Sequence, residues 1–299
     1  MPGDRAVVVG FDGSEQARQA TRWAAHEASS RGCGLVIVHA LRGPVPELVY
    51  TPMSMPLPEA VSDQAVRSRT ESRLADLAAE CERQWSDVDV RTCLEHGNPA
   101  EVLRHAGRDA DLIVVGSSGH SGLARALLGS VPADLARSCE RPVVVVRDDA
   151  TRDGRVVVGV DGSETGAKAI DFAFEYAARH QRDLLAVHAW ADLPVDALAP
   201  LREWDYNWNQ VRGESDALIA RCLAGHHERH PDVHVERVVS FDGPAHALLD
   251  AAKDAALLVV GSHGRGLLRR ALLGSVSHAV LYQAPCSVAV VHHDDSQQR

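Results

Sequence analysis

Lysine is almost absent from this chain of 299 residues, with Lys168 and Lys253 its only two. Basic charge therefore rests on Arg. Aromatics are scarce at 4%, so Val, Leu, Ala and Ile must fill the cores. Basic excess is missing too. The formal net charge is −10, which repels a polyanion at long range and argues against a general nucleic-acid or membrane-surface role. The six Cys, at 33, 81, 93, 139, 222 and 286, form no CxxC and no spacing shared between the two halves. That excludes a disulfide framework and suits a reducing compartment. No apolar run approaches the ~20 residues of a membrane helix. "MPGDRAVVVG" lacks the apolar region and cleavage site of a secretory signal. A cytoplasmic protein is the expectation.

What is present is a repeat. "VVVGFDGSE" from Val7 returns as "VVVGVDGSE" from Val156, which sets Asp12 and Asp161 149 positions apart. "VIVHA" ending at Ala40 returns as "LAVHA" ending at Ala189, again 149 apart. "NPA" at 98–100 matches "GPA" at 243–245, and "DLIVVGSSG" from Asp111 matches "ALLVVGSHG" from Ala256, both 145 apart. A period near 145 residues is a domain, not a solenoid unit. Two domains are expected, 1–149 and 150–299, joined at the polar stretch 147–155.

Each half alternates short β-branched runs with helical patterns. In the first half the runs are 6–10, 35–40, 88–94, 112–116 and 143–146, and four of the five are nearly continuously apolar. That is the signature of strands buried on both faces of a parallel sheet. Ser14 and Gly32 bracket a helix with an apolar stripe of Ala17, Ala20, Trp23, Ala24 and Ala28. A second helix follows from Asp63, and Pro99 opens a third, where its missing N–H costs nothing. The pattern predicts an α/β fold: two tandem, doubly wound, open parallel-sheet domains of Rossmann-like type. The Pro-rich segment 43–60 and its counterpart 191–208, which holds Trp204, Tyr206 and Trp208, read as loops. The edge runs 143–146 and 287–291 invite strand pairing between the halves, an internal pseudo-dimer.

The chemistry lies after the fourth strand of each half. "GSSGHSGLARALLGSV" (116–131) and "GSHGRGLLRRALLGSV" (261–276) both read G-x2-G-x9-G-S. Ligands of open α/β sheets bind at the carboxyl ends of the strands, where these segments fall. Glycine lets a phosphate approach the backbone closely. Gly-Ser then opens a helix whose first N–H groups and dipole favour an anion. Asp12 and Asp161 end the first strands at the same edge. A carboxylate there suits a sugar hydroxyl or a base amine, not a phosphate.

"VGFDGS", "VHA" and the doubled glycine segment together resemble the universal stress protein family in its tandem, ATP-binding form, and the resemblance spans both halves. It implies ATP, with or without Mg2+, or a related adenine nucleotide in each half. Carried over, Gly10, Asp12 and Ala40 line the adenosine end. Val115, Gly116, Ser117, Ser118, Gly119, His120, Ser121, Gly122, Gly129, Ser130 and Val131 cradle ribose and phosphates. The second set is Gly159, Asp161, Ala189, Val260, Gly261, Ser262, His263, Gly264, Arg265, Gly266, Leu267, Gly274, Ser275, Val276 and Ser277. The resemblance also implies pairing of the two halves, further homodimerisation and a protein partner.

The halves part where the family has Ser or Thr after "GSV". The second half has Ser277 and the first has Pro132, which offers neither hydroxyl nor N–H. With Arg265, Arg269 and Arg270 against His120 and Arg125, tighter phosphate binding is expected in the second half. The opposing reading makes those Arg a solvated helix face and Pro132 a helix cap. Neither glycine segment holds a Lys, and no G-x4-G-K-[ST] loop occurs. No carboxylate pair stands beside the phosphates, so binding with little or no turnover is expected. A slow ATPase or nucleotidyl-transfer enzyme stays open, as does a partner-binding module with degenerate sites. His39 and His188 read as packed rather than catalytic. Cys222, His226 and His230 share one helix face, but Gly225 weakens that helix and the first half has no counterpart, so no metal site is expected. His292 and His293 fall in the polar tail and read as solvated.

Overall fold

Runs of Val and Ile at 6–10, 112–116 and 143–146 have no polar face to give to water, so they settle in the middle of a sheet. A computed structural model describes residues 5–41, 63–118, 128–147, 153–190, 208–264 and 273–292. The first half runs β1 (Ala6–Gly10), α1 (Glu15–Arg31), β2 (Gly34–Leu41), α2 (Asp63–Gln84), β3 (Val90–His96), α3 (Pro99–Ala106), β4 (Leu112–Gly116), α4 (Ser130–Ser138) and β5 (Val143–Val146). The second runs β6 (Arg155–Gly159), α5 (Glu164–Arg179), β7 (Leu184–Ala189), α6 (Trp208–Leu223), α7 (His226–Arg229), β8 (Val235–Ser240), α8 (Pro244–Ala251), β9 (Ala255–Gly261), α9 (Ser275–Gln283) and β10 (Ser287–Val291). The expected third strand is displaced to Val90–His96. Val88 packs into the core ahead of it, 5% exposed, and pairing with β2 begins only at Val90.

The strand order is β3-β2-β1-β4-β5-β10-β9-β6-β7-β8. Within each half every pairing is parallel. Between β5 and β10 it is antiparallel, with Ala289 opposite Val144. The edge runs thus pair across the two halves. Alternate strand residues feed two cores. Val7 and Val9 pack with Trp23 and Ala24 of α1 and Leu74 and Leu77 of α2, while Val8 packs with Leu103 of α3 and Leu135 of α4. Helices on both faces make the sheet doubly wound.

α1 and α5 meet across the seam. Trp23 stacks on Tyr176, ring centroids 6.1 Å apart. Glu27, fully buried, takes bonds from Arg31 Nε at 2.5 Å, Arg179 at 2.9 Å and His180 Nε2 at 2.7 Å. The residues after β5 and β10 lock the opposite face. The Arg147 guanidinium donates to the Leu281 carbonyl at the end of α9. His292 places Nε2 2.9 Å from the Ala136 carbonyl near the end of α4, and Nδ1 3.1 Å from the Arg141 carbonyl. Its expected exposure is therefore corrected: it is 8% exposed, because last-turn carbonyls of a helix need donors and the seam supplies one here.

Candidate functional site

At the carboxyl edge of the first half the chain turns sharply after Gly10. The Phe11 N–H donates to the Val38 carbonyl at 2.8 Å, and His39 Nδ1–H donates to the Phe11 carbonyl at 2.7 Å. His188 repeats this on Val160 at 2.7 Å. Both imidazoles thus hold the strand-end turn. Asp12 accepts the Ser14 N–H at 2.9 Å, and Ser14 caps α1 through the Ala17 N–H at 3.1 Å.

Opposite lies the glycine segment. Its neck is closed by the Gly129 N–H donating to the Ser117 carbonyl at 2.8 Å, matched by Gly274 to Ser262 at 2.8 Å. Between these walls opens a cleft of ≈ 560 Å³, within the size range of small-molecule sites. Gly10, Asp12, Ala40, Val115, Gly116, Ser118, Gly129, Ser130 and Val131 all line it. Ser117 lies behind them, buried, with its N–H on the Val146 carbonyl at 3.0 Å. Gly119, His120, Ser121 and Gly122 fall outside the described residues, as do Arg125, segment 43–60, Trp204 and Tyr206.

The two glycines at the ends of the described motif are there for different reasons. A Cβ on Gly116 would stand 2.9 Å from the Gln16 carbonyl carbon and oxygen, so β4 meets the first turn of α1 only without a side chain. A Cβ on Gly129 would meet nothing closer than Pro132 Cδ at 3.5 Å, and its φ of −68° suits any residue. Packing does not demand that glycine, which lines the cleft. The helix behind it fits an anion. α1, α3 and α5 are capped by Ser14, Asn98 and Ser163, whereas α4, α7, α8 and α9, each preceded by Gly, start without a side-chain cap. Ser130 and Val131, the first two residues of α4, line the cleft at a helix start that favours an anion, and Pro132 after them has no N–H to offer.

In the second half Gly159 ends β6, Ala189 ends β7, and Val260 and Gly261 end β9. Ser275 is exposed at the start of α9, followed by Val276. Asp161 accepts both the Ser163 N–H at 2.9 Å and its hydroxyl at 2.7 Å. Ser277, 3% exposed, directs its hydroxyl at the carbonyls of Gly261, 2.9 Å, and Ser262, 3.0 Å, so its proton ties the neck of the loop. Ser262 Oγ lies 3.1 Å from His263 Nδ1. Arg265, Gly266, Leu267, Arg269 and Arg270 are outside the described residues.

The cleft also takes Phe11, Ala17, Val38, His39, Pro99 and Leu103, which sequence reasoning did not place there, and Pro132, which it set at the phosphate end. The matched "NPA" and "GPA" steps carried a signal for Pro99; nothing local marked Ala17 or Leu103. His226 stacks on Phe174 at 4.7 Å and sits 3.6 Å from Asp171. Among the described residues no three His, Cys, Asp or Glu side chains converge as a metal site, and no helix is long and apolar enough to cross a membrane.

Comparison with known proteins matches the Universal stress protein family model twice, over residues 5–147 and 154–292. A universal stress protein of Mycobacterium tuberculosis is 38% identical over 289 residues, covering 95% of this chain and 96% of that protein. One of Mycolicibacterium smegmatis is 37% identical over 290 residues, covering 95% and 96%. The crystal structure of a universal stress protein from Archaeoglobus fulgidus superposes with a TM-score of 0.66 at 20% identity, covering 96% of this chain and 98% of that one. At that identity the likeness is one of fold.

Proposed function

The chain belongs to the universal stress protein family, and from that premise we propose that it binds an adenine nucleotide at the carboxyl edge of each repeat, 1–149 and 150–299. Occupancy then signals to a protein partner. One observation carries the reading: a cleft of ≈ 560 Å³ has a carboxylate, Asp12, on one wall and the uncapped start of α4 on the other. A nucleotide has that polarity, with donors on the nucleoside and anionic charge on the phosphates. Gly10, Asp12 and Ala40 receive adenosine, and Gly129, Ser130 and Val131 receive phosphate. Mg2+, were it to accompany the nucleotide, would neutralise charge on the phosphates. The signal is a change in the surface seen by the partner when the site fills, since a ligand shifts an equilibrium only by binding one state better.

Mass spectrometry of small molecules released from freshly purified protein tests the first part. An adenine nucleotide is expected; no release, with no saturable ATP binding, refutes it. Product assays at stoichiometric protein are expected to show little turnover. Limited proteolysis of segment 43–60 tests the signalling part. Protection by ATP is expected, and an identical pattern with and without it removes that part.

A further inference from the structure

Arg147 and His292 follow the last strand of each half, and in the 145-residue register of the repeat they are the same position. Each reaches into the other half. The Arg147 guanidinium donates to the Leu281 carbonyl in α9, and His292 Nε2 lies 2.9 Å from the Ala136 carbonyl in α4. Ala136 and Leu281 are also one position of the repeat. Both belong to the last-turn carbonyls that no helical N–H reaches. His292 Nδ1 stands 3.1 Å from the Arg141 carbonyl in the loop after α4. A neutral imidazole donates to one of these carbonyls and an imidazolium to both, so in either state the ring is tied to the end of α4. The opposite ends of the same two helices lie at the sites. Ser130 and Val131 open α4 and line the cleft, and Ser275 and Val276 hold the equivalent places in α9. Each helix has nine residues and is about 13 Å long, so a tie on its last turn fixes where its first turn stands. No side-chain cap at the start does so in either helix.

We infer that His292 and Arg147 are positioning residues that act across the seam, each half holding the phosphate-end helix of the other. The inference rests on the nucleotide reading above. His292, from the second half, sets the phosphate affinity of the first site through α4. Arg147, from the first half, sets that of the second site through α9. They act on the phosphate end alone, because the adenosine end stands on β1 and β2, or on β6 and β7, which each half supplies for itself. The tandem chain thereby makes two sites that neither half completes by itself. Loss of one such hydrogen bond is expected to cost about fivefold in affinity.

The full-length chain tests this with one site filled at a time. Ala189→Trp leaves the first site, and Ala40→Trp leaves the second. Each is titrated with ATP and with adenosine, which lacks the phosphates. His292→Phe, which keeps a ring and loses the donor, should weaken ATP at the first site by about fivefold and spare the second. Arg147→Met should do the reverse. Adenosine affinity should hold within about twofold throughout. His292→Gln, which keeps an N–H donor, should restore most of the ATP affinity. Equal loss at both sites, loss confined to the variant's own half, loss of adenosine along with ATP, or no loss overturns the inference. Hydrogen exchange of the unliganded chain is the readout independent of nucleotide. The Cys139 amide closes α4 on the Leu135 carbonyl, and the Ala284 amide closes α9 on the Val280 carbonyl. His292→Phe should speed exchange at Cys139 and not at Ala284, and Arg147→Met should invert that pattern. Should one variant fail to fold, the other decides alone; failure of both overturns the inference, since the pair would then hold the fold rather than the helices. An uncrossed exchange pattern fails the inference whatever binds. A crossed pattern with no ATP binding in any chain would instead fail the nucleotide reading.

Discussion

Gly116 and Gly129 belong to one motif, yet different forces select them, and substitution separates the two. Gly116→Ala forces a methyl to within 2.9 Å of the Gln16 backbone. Overpacking against backbone costs about 1–3 kcal/mol, so the thermal midpoint should fall. Gly129→Ser should behave oppositely. Its backbone is extended and heads α4 as N-cap, where Ser is at least as good as Gly. Stability is expected to hold within about 0.5 kcal/mol, while the new side chain intrudes on the phosphate end and weakens nucleotide binding by about tenfold. Calorimetric melting and ATP titration of the two variants check the pair. Ser277 makes a third case. Ser277→Ala removes the donor from the Gly261 and Ser262 carbonyls, a loss of about 1 kcal/mol. Faster hydrogen exchange of the Gly274 amide, which closes the same neck, is the expected signature.

Between elements, the contact of α1 with α5 depends on a charge in the core. Burial alone would raise the Glu27 carboxyl, but the His180 hydrogen bond and the nearby Arg31 and Arg179 outweigh it and hold the group below its ordinary 4.5. A carboxyl depressed on folding contributes stability that is present above its unfolded value. That contribution is lost as pH falls from about 4.5 through the folded value. Glu27→Ala strands two Arg and a His in the seam. Breaking a buried pair from one side costs about 3–5 kcal/mol. Urea denaturation at pH 7 should show that loss, and the gap to the parent protein should shrink below about pH 4 as the parent's own carboxylate takes up a proton.

At the scale of the whole molecule, the repeat and its register were legible in the sequence, and so was the sheet. Continuous apolar runs such as 143–146 have no other home, and right-handed crossovers leave little choice of strand order. Part of the cleft lining followed too, since Asp12 lies two residues past β1, and Ala40 and Gly116 lie at the ends of β2 and β4, on one edge. What stayed hidden depends on who occupies a space after docking. Glu27 and Arg179 are 152 residues apart, and no local period couples them. The inward turn of Ser277 looks minor until the Gly261 and Ser262 carbonyls stand beside it. The seam has the same character. Val143, Val144 and Val145 are wholly buried against β10, while the outer strands carry exposed charge, Arg91 and Glu95 on β3 and Glu236 and Arg237 on β8. Such edges resist further strand pairing, so the homodimer that the family resemblance implies is expected to use another surface. The ten-stranded sheet itself should outlast its covalent link. A protease site inserted between 149 and 150 and then cut is expected to yield two fragments that co-elute in size-exclusion chromatography and part only in denaturant. Adding Glu27→Ala, which removes the charged lock on one face and leaves the β5·β10 ladder intact, should let the cut fragments separate at lower urea than the cut parent. Fragments that part without denaturant would show that the linker, not the seam, holds the halves together.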